Sequence, residues 1–124
     1  DEARDVVRKL HAQTTVQRPN WIGAVHYDVA RRYFDAGYYE DALGELAQAL
    51  VTTPGNRNAR FAVGACHLAA GDSAAADSAY ADAVRRHGLY PAGAAWLFDL
   101  RDREETAKRV EAVYRKYFDS VAEK

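Results

Sequence analysis

The sequence predicts an all-α fold, a short α-α superhelix of antiparallel helix pairs stacked side by side. Three observations carry that expectation. Alanine, the strongest helix former, is heavily over-represented. Apolar residues recur at helical spacing along the chain. A glycine-turn pattern repeats at an interval of about 34 residues, a length typical of helix–turn–helix repeats.

The 124 residues fit one domain, and their 48% apolar and 28% charged shares are those of an ordinary soluble globular protein. A net charge of −1 and a pI near 6.5 give no electrostatic reason to expect nucleic acid or an anionic membrane. No apolar run approaches the roughly 18–20 residues of a membrane span, so membrane insertion is not expected. The single cysteine, Cys66, excludes an intrachain disulfide framework. The chain begins at Asp1 and contains no methionine, so it is expected to be a processed product or a segment of a longer protein. The sequence names no compartment; the cytoplasm is favoured over export through a cleaved signal.

Residues 1–19 are expected to form an N-terminal helix, near Glu2 to Gln13, and a linker, with Val6, Val7 and Leu10 on the apolar side. The Gln17-Arg18-Pro19-Asn20 stretch is a break, and Asn20 can N-cap the next helix. The first repeat, 20–56, pairs a helix from about Trp21 to Ala36 with one from about Tyr39 to Thr52. Ile22, His26, Val29, Ala30 and Tyr33 share one stripe of the first helix, and Leu43, Leu46 and Leu50 point inward from the second. The second repeat, 57–90, pairs Arg57–Ala70 with Ser73–Arg86. In 91–124 a short helix near Ala92 to Leu100 carries Trp96 and Leu97. The last helix is expected from Asp102, where Asp-Arg-Glu-Glu can form a capping box. Its apolar stripe is Ala107, Val110, Tyr114, Tyr117, Phe118 and Val121.

Sliding the chain along itself by about 34 residues aligns Val29 with Val63, Ala30 with Gly64, Ala36-Gly37 with Ala70-Gly71, Ala42 with Ala76, and Leu46 with Tyr80. Large residues also meet large ones: Tyr27 meets Phe61, and Phe34 meets Leu68. Gly37 and Gly71 would end each first helix in a left-handed conformation that lets the chain reverse tightly. Ala30, Gly64, Ala42 and Ala76 are small where paired backbones approach. Pro54 closes the first unit.

These residues resemble the tetratricopeptide repeat family, whose signature reads W-x2-L-G-x2-Y, then A-x3-F, then P. The first copy supplies His26, Val29, Ala30 and Tyr33, then Ala42 and Leu46, then Pro54; the second supplies Arg60, Val63, Gly64 and His67, then Ala76 and Tyr80. The departures are His26 and Arg60 at the tryptophan position and Gly88 at the proline position. Residues 91–124 read as a degenerate repeat or end cap. The resemblance implies that first-helix positions opposite the packing stripe line a concave groove holding a peptide or partner helix. Here those positions give Tyr27, Arg31 and Phe34 from the first copy and Asn58, Phe61 and Leu68 from the second. Some members clamp a terminal carboxylate with Lys and Asn; Tyr27, Arg31, Phe61 and Ala65 stand here instead, so no such clamp is expected. A competing arrangement has the chain's own terminal helix filling the groove.

Nothing in the sequence assembles a catalytic centre, and neither a cofactor nor a metal is expected. Cys66 and His67 are adjacent, so their side chains diverge on a helix and cannot chelate one ion. Gly71-Asp72-Ser73 has the look of a nucleophile turn, but a helix precedes it and capping by Asp72 explains the residues. Asp99, Asp102, Glu104 and Glu105 read as a solvated turn and helix start. The expected function is therefore a non-catalytic protein–protein interaction module. The alternative is a self-associating, homodimerising domain serving as a regulatory or substrate-docking part of a larger enzyme or assembly.

Overall fold

Regular structure in the computed structural model is entirely helical across the described residues, 2–5 and 19–119. Residues 2–5 belong to α1. Next come α2 (Pro19–Ala36), α3 (Tyr39–Thr52), α4 (Arg57–Ala69) and α5 (Ser73–His87). A 3-10 turn (Pro91–Ala94) leads into α6 (Ala95–Arg101) and then α7 (Ala107–Tyr117). Val6, Val7, Leu10 and Val121 lie outside the described residues. The chain divides into two compact units, Asp1–Ala59 and Arg60–Lys124.

The helix ends at Gly37 and Gly71 share one set of bonds. Gly37 has φ +88° and Gly71 has φ +91°, a region where a side chain would be strained. Tyr38 N–H donates to Tyr33 O at 2.9 Å and Gly37 N–H to Phe34 O at 3.1 Å. Asp72 N–H donates to His67 O at 2.9 Å and Gly71 N–H to Leu68 O at 3.1 Å. Both are Schellman closures, which satisfy carbonyls that a helix end leaves open. The residue after each glycine differs in use. Tyr38 packs edge-on to Tyr33, with ring centroids 6.3 Å apart. Asp72 instead caps α5, its Oδ1 accepting from Ala75 N–H at 3.0 Å.

In the first unit α2 and α3 pack on each other. Ile22, Val29, Ala30, Tyr33 and Phe34 of α2 are buried, as are Ala42, Leu46 and Ala49 of α3. The expected inward face of α3 needs correction: Leu43 and Leu50 are only partly covered, and the buried stripe runs through Ala42, Glu45, Leu46 and Ala49. Ala42 and Ala49 share the innermost line with Leu46, as expected for Leu46, while Leu43 and Leu50 stay partly open. Asn20 also lies inside α2 rather than ahead of it. Arg4 of α1 pairs with Asp41 and places its guanidinium 5.9 Å over the Tyr33 ring.

In the second unit Gly64 of α4 lies under the Tyr80 ring of α5: a β-carbon there would stand 2.6 Å from Tyr80 Cε2. Gly93 meets the Phe61 ring in the same way, at 2.6 Å from Cγ. Trp96, Leu97 and Leu100 of α6 and Val110, Val113 and Tyr117 of α7 complete this core, with Phe118 just beyond α7.

The last helix starts five residues later than expected, and no capping box forms at Asp102. Asp102 instead caps the end of α6, and a turn succeeds it. The buried Thr106 hydroxyl donates to Leu100 O at 3.0 Å or Arg103 O at 3.1 Å. The Thr106 hydroxyl, bonded to a carbonyl of this turn, holds the turn against the local preference of Asp102 to Glu105 for starting a helix.

Candidate partner-binding surface

The six residues expected to line a groove separate by burial. Phe34, Phe61 and Leu68 are fully buried. Tyr27 and Arg31 are half-buried and Asn58 is exposed, all three in the first unit.

Arg31 is fixed by its own helix. Its Nε donates to Asp35 Oδ1 at 2.9 Å, one turn on, and its guanidinium stands 5.7 Å over the Phe34 ring. The cation therefore rests on a buried aromatic ring while its side chain stays partly in solvent.

Phe61 has no face to offer a partner. Tyr90 and Phe118 each stand 5.8 Å from its ring centroid and His87 6.5 Å, with Gly93 pressed against the ring. The end of the chain's own last helix thus covers this ring, where a groove would have left it open.

A polar pair that sequence reasoning did not assemble lies in the first unit. His26 Nδ1 and Glu45 Oε2 are 2.7 Å apart, and both residues are buried. The signal was present: Glu45 shares a helical stripe with Ala42 and Ala49, which only a partnered carboxyl could occupy. Arg60, aligned with His26 by the repeat, likewise reaches across to α5, 3.6 Å from Asp82. Desolvation opposes the charge on Asp82, but the Arg86 hydrogen bonds and the nearby Arg85 and Arg60 outweigh it and lower its pKa.

Cys66 is fully buried, and burial pushes its thiol up to about 12, far from a thiolate at neutral pH. Asp99, Asp102, Glu104 and Glu105 are all exposed. Among the described residues no group of three or more His, Cys, Asp or Glu could hold a metal ion, and no helix is long and apolar enough to cross a membrane.

Sequence reasoning did not single out the exposed aromatic residue of α6. Phe98 of α6 is 44% exposed and pairs with Tyr114 of α7, with ring centroids 5.6 Å apart. Comparison with known proteins finds no matching family model, curated protein or solved structure.

Proposed function

We propose that this chain is a non-catalytic protein–protein interaction module of the tetratricopeptide-repeat type. It holds a peptide or a partner helix on the α2 side of its first unit. The observation that carries the reading is the recurrence of the same glycine closure, bond for bond, at the ends of α2 and α4. Such recurrence is the mark of stacked helix–turn–helix units, whose exposed first-helix residues can specialise.

On this reading Tyr27 supplies a rigid amphipathic contact. Arg31, held by Asp35 over Phe34, orients a carboxylate or carbonyl of the partner. Asn58 adds an adaptable hydrogen bond. Phe34 acts beneath the surface of this unit; Phe61 and Leu68, buried in the second unit, are left out of the contact. Tyrosine and arginine anchors over a packed base are the usual composition of binding hot spots.

A displayed peptide library selected against the whole chain tests the proposal. The best binder should lose at least about fivefold in affinity on Tyr27→Ala and on Arg31→Ala, with the melting temperature kept. Failure to enrich any binder, or binders indifferent to both changes, contradicts it.

Self-association is a second reading, favoured by the exposure of Trp21 (44%) and Val51 (76%) in the first unit. Sedimentation of the wild type and of Trp21→Ser/Val51→Ser across a concentration series separates the two readings.

A further inference from the structure

An open cavity of about 510 Å³ lies along α4 and α5 in the second unit. His67 enters its lining from α4, and Ser78, Asp82 and Arg85 from α5, over a floor that includes Ala75 and Ala79. Ser78, Asp82 and Arg85 follow helical spacing, so one face of α5 presents a hydroxyl, a carboxylate and a guanidinium in a row. Ser78 and Arg85 are exposed, and His67 and Asp82 are partly covered. The alanines between them are too short to screen the row.

The charge around Asp82 does not balance. Three guanidinium groups share this one carboxylate: Arg86 Nε at 3.1 Å, Arg60 Nη1 at 3.6 Å, and Arg85 Nη2. α4 carries no Asp or Glu, and Asp82 is the only one from Ser78 to Phe98. The two nearest carboxylates along the chain are committed elsewhere. Asp72 caps the opposite end of α5 through Ala75 N–H, and Asp77 is engaged by Lys116 and the Tyr117 hydroxyl. The carbonyl end of α5 offsets only about half a charge. Arg85 and Arg86 are exposed, and one carboxylate cannot occupy the N–H donors of three guanidinium groups. Donors and positive charge thus remain for a second anion.

We infer that this cavity binds a phosphate monoester, presented by a phosphoserine side chain of a partner protein. Such a group carries about −1.5 to −2 charges at neutral pH, which matches the excess around Asp82; a second carboxylate would neutralise only part of it. Its oxygens accept from the remaining N–H groups of Arg85 and Arg86 and from the Ser78 hydroxyl, and the His67 imidazole can donate a further bond from α4. The cavity exceeds a phosphate group, leaving room for the residues on either side of the modified one. Its lining favours a peptide over nucleic acid, since no Phe, Tyr or Trp stands there for a base to stack on. The site stands apart from the Tyr27 and Arg31 surface, and the two respond to different substitutions.

The test titrates the full chain with inorganic phosphate and with a set of dodecapeptides that fix phosphoserine at the centre, read by amide NMR. The expected result is saturable shifts at Ser78, Asp82 and Arg85, with at least one peptide bound more tightly than inorganic phosphate and its unphosphorylated counterpart not bound. Affinity for that peptide should fall at least about fivefold on Arg85→Gln, fall again between about 50 and 500 mM salt, and be unmoved by Tyr27→Ala. Both Arg85 and Arg86 are exposed, so Arg86→Gln gives a second variant in which the fold is kept. The inference is overturned if neither probe saturates, or if affinity survives Arg85→Gln combined with Arg86→Gln. It is equally overturned if no peptide binds more tightly than inorganic phosphate, if glutamate replaces phosphoserine without loss, or if an RNA oligomer displaces the peptide at lower concentration than the unlabelled peptide does.

Discussion

The Tyr80 ring lies so close over Gly64 that no β-carbon fits between them. The first repeat carries Ala30 and Leu46 at the aligned positions, both buried, so a larger residue on one helix accompanies a smaller one on its partner. Gly64→Ala should therefore cost about 1–3 kcal/mol through overpacking. Adding Tyr80→Leu to Gly64→Ala should cost less than the sum of the single changes, a favourable coupling readable by urea unfolding of the full cycle. The buried Tyr80 hydroxyl finds no hydrogen-bond partner among the described residues. Tyr80→Phe is thus expected to be neutral or stabilising by about 1 kcal/mol.

His26 and Glu45 form the buried polar contact of the first unit. Removing the histidine leaves a carboxyl buried without its partner, so His26→Ala should cost about 3–5 kcal/mol. The double change His26→Leu/Glu45→Leu should cost less than His26→Ala alone, because both polar groups then leave the interior. Thermal unfolding of the variants checks the order; equal losses would show that the pair contributes only volume.

How far the sequence could be read depended on how local each cause was. Gly37 and Gly71 were legible because their positive φ is a demand that few residues can meet. The start of α7 was misplaced because its determinant, the Thr106 hydroxyl on the Leu100 and Arg103 carbonyls, is a contact across a turn. Periodicity places Phe34 and Phe61 on a face opposite the packing stripe, but it cannot say how many faces of a helix are covered. The cover over Phe61 comes from Phe118 and Gly93, far along the chain. In Ala95-Trp96-Leu97-Phe98-Asp99-Leu100 most residues are apolar, so the pattern alone does not show that Phe98 is the one left outside.

The thiol of Cys66 is raised to about 12 by burial. In the native protein it should resist a thiol reagent at neutral pH, with labelling keeping pace with unfolding as denaturant is added. Rapid stoichiometric labelling of folded protein would mean that this part of α4 opens readily.

Asp77 ties α5 to α7. Hydrogen bonds from the Tyr117 hydroxyl and then from Lys116 hold its carboxyl below the ordinary range. A carboxyl with a depressed folded pKa stabilises the fold above its unfolded value of about 3.9 and loses that contribution as pH falls through the folded value. The wild type should therefore exceed Asp77→Asn in stability near neutral pH by a small margin, since the side chain is about half exposed. The margin should be flat down to about pH 5 and close below about pH 4. Urea midpoints across this range read it directly; a margin that persists at about pH 2 assigns it to packing instead.

Tyr27 and Phe61 occupy aligned positions in the two repeats, yet one is partly exposed and the other buried beneath Phe118. The decisive measurement is the affinity of Tyr27→Ala for a peptide selected against the wild type, taken beside the unfolding free energies of Tyr27→Ala and Phe61→Ala. Tyr27→Ala should lose at least about fivefold in affinity with nearly unchanged stability, whereas Phe61→Ala should lose about 3–5 kcal/mol of stability. Wild-type affinity in Tyr27→Ala, with its loss appearing only in stability, would contradict a partner-binding surface on α2.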